Sequence, residues 1–418
     1  MNGGSFQNTA QKVVSLSGGA TFNMTGGEII GGTRSDNVFT GVIHMTGGTF
    51  NMTGGEITDC SVGVYMEAAS TFTMTDGAIT NCTYGVRVWG DSTGSKSTIF
   101  TMKGGKIGGG AGSTRDYTGY GVGVYQNATF NLQGGEISGY YSDSNATTGG
   151  VDVWETGTLN ISGSPRVVDN YTARERGTRF HSGNNRWTAY VGLSSNINLH
   201  PGAKLSVSGL TGKARFGLTL RGYKNGDIVR NDFYLDVSNG YTFNGDLKVY
   251  SQYKNYFFSD NAAFTLDSNG TYMTIKGTPV DQSTMQMQAK TKSGTTTIDR
   301  YNGSITLAPG ETVELTAVLG PDTATNKEYH WLYSNPYQTV YMSGNTITAK
   351  KEDREGDDTA LVALLPKAGD LSREPRYLEI HVAAKSYTVK FEMNGHGTQI
   401  EPTAVDARTK LKTDDPSE

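Results

Sequence analysis

The chain has 418 residues, a formal net charge of −4, two cysteines and 56 glycines. So small a net charge provides no strong field for nucleic acid or a membrane surface, and no apolar run is long enough to span a bilayer. We therefore expect neither nucleic acid nor an inserted membrane segment among its partners, and the length favours several domains.

One phrase recurs through the first part of the chain. It reads TFNMTGGEI in its first copy and occurs, with changes, at 21–29, 49–57, 71–79, 99–107, 129–137 and 158–167. Apolar residues alternate with polar ones inside it, which indicates a β-strand, and a pair of glycines follows where the chain must turn. A repeat of about 22 to 30 residues built on such a strand predicts one coil of a parallel β-helix per copy.

A second phrase, Gly-Val-x-Val, precedes most copies of the first. It lies at 63–66, 85–88, 121–124 and 150–153. With a third short strand after the glycines, each coil would form a three-sided prism, and equivalent residues would stack about 4.8 Å apart. The phenylalanines of the repeat are thus predicted to form an internal ladder, namely Phe22, Phe50, Phe72, Phe100 and Phe130.

The two cysteines follow equivalent points of neighbouring repeats. Cys60 comes after Ile-Thr-Asp and Cys82 after Ile-Thr-Asn. They should stack on adjacent coils, either as a disulfide or, in the interpretation we prefer, as two buried thiols. No Cys/His cluster has the spacing of a zinc site, so no metal and no cofactor are expected.

The Gly-Val-x-Val strands predict two columns of outward side chains. The first column contains Tyr65, Arg87, Gly123 and Asp152, and the second contains Glu67, Trp89, Tyr125 and Trp154. An exposed row of aromatic rings would offer flat apolar faces to sugar rings or to a protein partner. Arg87, Trp89, Tyr125, Asp152 and Trp154 are therefore candidate ligand-binding residues, unless the loop at 108–120 folds over them.

The most basic window of the chain lies at 169–190. It supplies a second set of candidate ligand-binding residues, namely Arg174, Arg176, Arg179, Arg186 and Trp187. Guanidinium groups in such a cluster favour an anionic ligand such as a sialylated or sulfated glycan. The alternative is a surface loop over the coil edge, with its arginines paired to Asp169 and Glu175.

Parallel β-helices also host enzymes that degrade polysaccharides. A glycosidase needs two carboxyl groups facing one bond, about 5 to 10 Å apart. Asp152 and Glu155 would point in different directions along one strand and make a poor pair. If the chain is an enzyme, the candidate catalytic residues are Asp152, Asp169 and His181.

The rest of the chain is strand-rich but lacks the repeat. The segment 262–277 has the pattern of a closing hairpin, and Gly277-Thr278-Pro279 the composition of a linker. Beyond it, short alternating strands with a central Trp331 favour a β-sandwich. The expected domains are a β-helix at 1–215, its β cap at 216–279, the sandwich at 280–385 and a small β module at 386–418.

These segments carry three resemblances. The coil phrases resemble the right-handed β-helix regions of surface proteins, often adhesins, of Gram-positive gut bacteria. The strands around Trp331 resemble bacterial immunoglobulin-like spacer domains, and SYTVKFEMNGHG at 386–397 resembles the start of a Listeria–Bacteroides repeat. The closing segment of that repeat is missing, which indicates a truncated module.

Together these features predict an all-β surface adhesin or binding scaffold that recognises a glycan or a host glycoprotein. The resemblance implies an extracellular location on the bacterial surface, as a monomeric part of a longer chain, since the first residues carry no signal peptide. The alternatives are a polysaccharide lyase or glycosidase and, more weakly, a structural spacer. An enzyme is less favoured because no carboxylate cluster is evident.

Overall fold

The computed structural model describes residues 1–7, 12–31, 41–109, 119–140, 149–171, 178–182, 185–189, 194–200, 203–219, 241–242, 251–268, 270, 273–299, 303–335, 338–350, 359–367, 376–383, 386–389 and 401–406. The chain divides into two compact units, the first made of Met1–Thr178 and Tyr190–Pro279 and the second of Arg179–Ala189 and Val280–Glu418. Strands dominate the described residues, so the predicted all-β class is confirmed.

Up to Pro279 the strands are β1 (Asn2–Gln7), β2 (Val14–Ser17), β3 (Thr21–Ile30), β4 (Ile43–Thr58), β5 (Val62–Cys82), β6 (Tyr84–Trp89), β7 (Ile99–Met102), β8 (Lys106–Gly109), β9 (Tyr120–Tyr125), β10 (Thr129–Leu132), β11 (Glu136–Ser138), β12 (Gly149–Val153), β13 (Thr158–Gly163), β14 (Arg166–Val167), β15 (Thr178–Ser182), β16 (Asn185–Ala189), β17 (Ile197–Leu199), β18 (Lys204–Leu210), β19 (Arg215–Leu218), β20 (Tyr241–Thr242), β21 (Phe257–Ser259), β22 (Thr265–Ser268) and β23 (Met273–Lys276). A 3-10 helix covers Ser251–Tyr256. β1–β14, β17–β19 and β21 form one large sheet whose neighbouring strands run parallel, which is compatible with the predicted parallel β-helix.

The predicted phenylalanine ladder is confirmed. Phe50, Phe72, Phe100 and Phe130 pair in register on successive coils and are fully buried. Neighbouring ring centroids lie 4.6 to 4.8 Å apart, and the rings are within 9° of parallel. The core of the first unit is therefore a stack of like side chains, which follows from the repeat because each copy places the same residue at the same point of the coil.

The coils turn at residues that accept a left-handed backbone. Asp59, Asn81 and Asp169 occupy equivalent corners with φ of 55°, 49° and 56°, and Asp and Asn tolerate this region better than most residues. Gly77 follows the repeated strand with a φ of 96°, and a Cβ there would lie 2.8 Å from the carbonyl oxygen of Gly55 on the preceding coil. Glycine is required at that corner both by the backbone angle and by the close approach.

Cys60 and Cys82 form a disulfide between adjacent coils. The predicted stacking is confirmed, whereas the preferred interpretation of two free thiols is wrong. Both residues are buried, and their Cα atoms lie 4.5 Å apart, within the range that a disulfide spans. Coil stacking alone brings them this close, because both directly follow the equivalent corner residues Asp59 and Asn81.

A polar network lies where the last coils meet β21. The amide of Asn170 is fully buried and donates to the carbonyl oxygens of Ile137 and Val168 and to Oδ1 of Asn196. Asn196 in turn donates from its backbone and its side chain to Asp260, at 2.7 Å each. After it, β22 and β23 pair antiparallel, which confirms the predicted closing hairpin.

The second unit contains a 3-10 helix at Gln282–Thr284 and the strands β24 (Gln286–Thr291), β25 (Gly294–Ile298), β26 (Gly303–Leu307), β27 (Thr312–Val318), β28 (Tyr329–Ser334), β29 (Val340–Ser343), β30 (Thr346–Ala349), β31 (Thr359–Pro366), β32 (Arg376–Val382), β33 (Ser386–Val389) and β34 (Thr403–Asp406). A five-stranded sheet (β25-β24-β27-β30-β29) and a four-stranded sheet (β26-β32-β31-β28) enclose one apolar core, against which Trp331 packs. This arrangement is a two-sheet β-sandwich. β33 and β34 pair separately as an antiparallel hairpin.

Candidate functional site

The first predicted column exists, but its charged members are not exposed. Tyr65, Arg87, Gly123 and Asp152 pair in register on β5, β6, β9 and β12. The side chains point away from the core, yet Arg87 is only 6% exposed and Asp152 is fully buried. These two charges therefore lie beneath the surface of the site and support the groups above them.

The second column forms a continuous row of stacked rings, as predicted, and extends one coil further. Trp89 and Tyr125 have ring centroids 4.8 Å apart, and Tyr125 and Trp154 are 5.9 Å apart. His200 then stacks on Trp154 at 4.2 Å. We call Trp89, Tyr125, Trp154 and His200 the aromatic row. His200 was not among the predicted site residues, although it directly follows β17, which pairs with β12 in the same register.

Most of the flat faces of the row are used in stacking between its own rings. Interplanar angles of 13° to 30° show that the rings lie face to face along the stack, so both faces of Tyr125 and of Trp154 are covered. Tyr125 is buried, whereas Trp154 is 40% exposed and shows its edges to solvent. Trp89 begins the row, and on its other side no described ring stacks against it. Trp89 therefore stacks against a described ring on one face only, and its side chain is partly exposed.

Gly123 creates the space in which Tyr125 lies. A Cβ at Gly123 would be 2.7 Å from both Cε2 and Oη of Tyr125, so the tyrosine ring crosses the position that a side chain would fill. Burial raises the pKa of Tyr125 far above its ordinary value; nearby Arg87 opposes this rise, and Asp152 adds to it. The tyrosine hydroxyl thus lies near both a guanidinium and a carboxylate and stays protonated in ordinary buffers.

Arg87 is held among aromatic rings. Its guanidinium carbon lies 4.8 Å from the ring centre of Tyr84, 5.2 Å from that of Tyr125 and 5.7 Å from that of Trp89. Tyr84 also belongs to a buried outer cluster with Val62, Tyr65 and Tyr120. Cation–π contacts of this kind stabilise a charge away from water. Alternation could not predict this role for Tyr84, because Tyr84 is an even number of residues from the inward Val86 and Val88.

Asp152 is paired with His200. Oδ1 of Asp152 lies 3.0 Å from Nε2 of His200, while Oδ2 has no hydrogen-bond partner among the described residues. Because the carboxylate is fully buried, it reaches a ligand only through His200. Since the neighbouring carboxylate accepts from Nε2, Asp152 orients the imidazole ring against Trp154.

Asp169 does not join this group. Asp169 lies at an exposed corner after β14, and no described hydrogen bond or ion pair joins it to Asp152. Of Arg179 and His181 on β15, and of Arg186 and Trp187 on β16, only the backbone is described, as a two-stranded sheet. Arg174 and Arg176 lie outside the described residues.

Polar groups border the row at the corner that follows β6, β9 and β12. The indole N–H of Trp89 donates to Oε1 of Gln126 at 2.9 Å, and the amide of Asn127 donates to the carbonyl oxygen of Asp91 at 3.0 Å. Hydroxyl groups of Ser95 and Thr93 donate to the Asp91 carboxylate and hold its pKa well below the ordinary value. The rim of the row therefore combines fixed amides with a permanent negative charge.

Among the described residues, no group of three or more His, Cys, Asp or Glu side chains is arranged to hold a metal ion. Within the same segments, no helix has the length and apolar composition that a bilayer crossing requires. We compared the chain with protein-family models, curated proteins and solved structures, and nothing matches it.

Proposed function

We propose that this chain is part of a bacterial cell-surface adhesin or binding scaffold, and that its first unit binds a glycan at the aromatic row. The observation that carries the proposal is a row of stacked rings, two of which remain partly accessible. Trp154 is 40% exposed, and one face of Trp89 has no described ring against it. Large exposed aromatic surface beside polar groups is typical of a binding site.

The surroundings of the row suit a saccharide. A sugar ring has apolar C–H faces and polar hydroxyl edges, and it needs aromatic surface together with hydrogen-bonding groups. Gln126 and Asn127 supply amides beside Trp89. The buried Arg87 and Asp152 support the rings from below, so the surface is organised before a ligand arrives.

The disulfide supports an extracellular location. Disulfides persist in oxidising compartments and are rare in the cytosol. In this proposal, the first unit is a right-handed β-helix that presents the site, and the β-sandwich is a bacterial immunoglobulin-like spacer. The hairpin of β33 and β34 would begin the Listeria–Bacteroides-type module of the stalk.

One observation favours a second candidate, a glycan-degrading enzyme. The Asp152–His200 pair has the form of a histidine oriented by a carboxylate, an arrangement that can position a general base. It lies beside the exposed Trp154, where a saccharide would bind in this proposal. Among the described residues, no second carboxylate is shown in contact with this pair, and Asp169 lies at another corner of its coil.

A binding array separates these functions. The purified chain is applied to mucin glycans, plant polysaccharides and host glycoproteins, beside the double variant Trp89→Ala, Trp154→Ala. The matched control is Tyr341→Ala, which removes an aromatic residue that is 53% exposed in the second unit. Saturable binding that only the double variant loses would support the proposal. Shortened polysaccharides without retained ligand would replace it with the enzyme, and neither binding nor cleavage would refute both.

A further inference from the structure

We infer that His200 is a hydrogen-bond acceptor for a hydroxyl group of the bound glycan, through its Nδ1 atom. Asp152 is the positioning residue, because it fixes which ring nitrogen of His200 carries the proton. This inference rests on the proposed function, since it specifies how the ligand is recognised at the Trp154 end of the aromatic row.

The buried carboxylate of Asp152 determines the tautomer of His200. Oδ1 of Asp152 lies 3.0 Å from Nε2 of His200, and among the described residues no other group donates to either carboxylate oxygen. A carboxylate only accepts hydrogen bonds, and leaving a fully buried one without a donor is costly. The proton of the neutral imidazole therefore lies on Nε2.

The second ring nitrogen of His200 is left as an acceptor. In a neutral imidazole one nitrogen donates and the other accepts, so a proton on Nε2 makes Nδ1 the acceptor. No described group donates to Nδ1 of His200, and this atom is not buried as the unpartnered Nδ1 of His44 is. The His200 side chain is 12% exposed. Nδ1 is thus an acceptor with a fixed orientation that a ligand can reach.

The neighbouring indole of Trp154 provides a donor. The indole N–H groups of Trp89 and Trp331 each donate to a side chain, at 2.9 and 2.8 Å. Among the described residues nothing accepts from the indole N–H of Trp154, which is 40% exposed and stacks on His200 with ring centroids 4.2 Å apart. This end of the row therefore combines an acceptor and a donor in two adjacent rings.

Sugar hydroxyl groups match both side chains. A hydroxyl donates through its hydrogen and accepts at its oxygen, so one hydroxyl can donate to His200 while the same or a neighbouring one accepts from Trp154. A methyl ether or a sulfate ester at that position only accepts, and it cannot donate to Nδ1. The site therefore selects glycans whose hydroxyl group at this position is unsubstituted.

Nitrogen-15 NMR of the whole chain tests the tautomer without a ligand. Long-range proton–nitrogen spectra distinguish the Nε2–H, Nδ1–H and doubly protonated forms, and the signal lost in His200→Gln identifies His200 among the six histidines. We expect the Nε2–H form at about pH 8. In Asp152→Asn the amide can donate to Nε2, so the Nδ1–H form should appear. Asp322→Asn, at an exposed position of the second unit, should leave the His200 signal unchanged.

Titration with matched saccharides tests the role of the acceptor. The probes are the hexasaccharides of β-1,4-linked glucose, xylose and mannose, each compared with its fully O-methylated form, which loses every hydroxyl donor. A hexasaccharide should bind about tenfold more tightly than its methyl ether and should shift the Nδ1 resonance of His200. Asp152→Asn should remove most of this preference, whereas a simple steric clash of the methyl groups would persist in the variant.

Three results on the wild-type chain would overturn the inference, and they hold even if Asp152→Asn does not fold. They are a His200 that carries a proton on Nδ1, a bound hexasaccharide that leaves the Nδ1 resonance unmoved, and no binding of any of the three hexasaccharides. If a hexasaccharide binds and Trp154→Ala abolishes its binding while Nδ1 is unmoved, the glycan site stands and the inference alone fails. If no glycan of the wider array binds either, both proposals fail.

Discussion

Replacing Gly123 with alanine tests whether the aromatic row depends on a missing side chain. The added Cβ would lie 2.7 Å from Cε2 and Oη of Tyr125 and 3.0 Å from its Cζ. Gly123 does not have a positive φ, so alanine brings no left-handed strain there. The tyrosine ring must therefore move, and the cost is that of the contacts it loses.

These contacts determine how much Gly123→Ala should lower the free energy of unfolding. Tyr125 stacks on Trp89 and on Trp154. The guanidinium carbon of Arg87 lies 5.2 Å from the ring centre of Tyr125. An aromatic pair contributes about 1 kcal/mol beyond its buried area, and a partly desolvated cation–π contact contributes about as much. Gly123→Ala should thus lower the free energy of unfolding by about 3 kcal/mol.

Urea unfolding followed by tryptophan fluorescence measures this change, and near-ultraviolet circular dichroism reports the packing of the rings. The matched control is Gly3→Ala, because a Cβ at Gly3 meets nothing within 4 Å. If Gly123→Ala unfolds at the wild-type midpoint with an unchanged aromatic spectrum, Tyr125 does not depend on the space at Gly123, and the description of the row is wrong.

Three further predictions concern stability. Reducing the disulfide, or replacing Cys60 and Cys82 with serine, should lower the free energy of unfolding by about 3 kcal/mol, because the bridge spans 22 residues. Mass spectrometry with a thiol label checks that the bridge is present. An unchanged midpoint of urea unfolding would contradict this prediction. Burial lowers the pKa of His44 below 6.5 in the folded chain. As the pH falls from about 7 to 5, the unfolded chain therefore takes up a proton at this histidine more readily than the folded chain does. The free energy of unfolding should decline over that pH range, and it should decline less in the His44→Gln variant than in the wild type. Asn170→Leu leaves buried carbonyl groups unpaired and should lower the free energy of unfolding by about 3 kcal/mol, measured in urea, whereas a change below about 1 kcal/mol would contradict the buried network.

The interior of the first unit could be predicted from the sequence because a repeat defines it. Phe50, Phe72 and Phe100 stand at the same point of their phrases, so stacking the coils places the rings in one ladder. The alternation of Gly-Val-x-Val likewise fixed which side chains point outward. The length of the repeat and the two-residue alternation of the strands are enough to predict which side chains stack and which point outward, without any separate prediction of long-range contacts.

The burial and orientation of the outward side chains could not be predicted in the same way. Alternation shows that Arg87 and Asp152 leave the core, but not that neighbouring side chains bury them. Nor does it show how an aromatic ring is oriented, so it could not predict that both faces of Tyr125 are used in stacking. His200 was missed because its coil departs from the phrase, although the column could have been extended one coil through Asn198.

The Cys60–Cys82 bridge also determines how the chain responds to force. Strands of neighbouring coils are held together by hydrogen bonds directed along the axis of the stack, so tension along that axis peels the coils apart one at a time. The bridge is covalent and joins two of those coils, so the 22-residue segment between its ends carries no load while the bond is intact. Reduction would add about 75 Å to the length to which the chain can be drawn out. Oxidation therefore sets an upper limit on the extension of this part of the molecule when it is pulled from both ends.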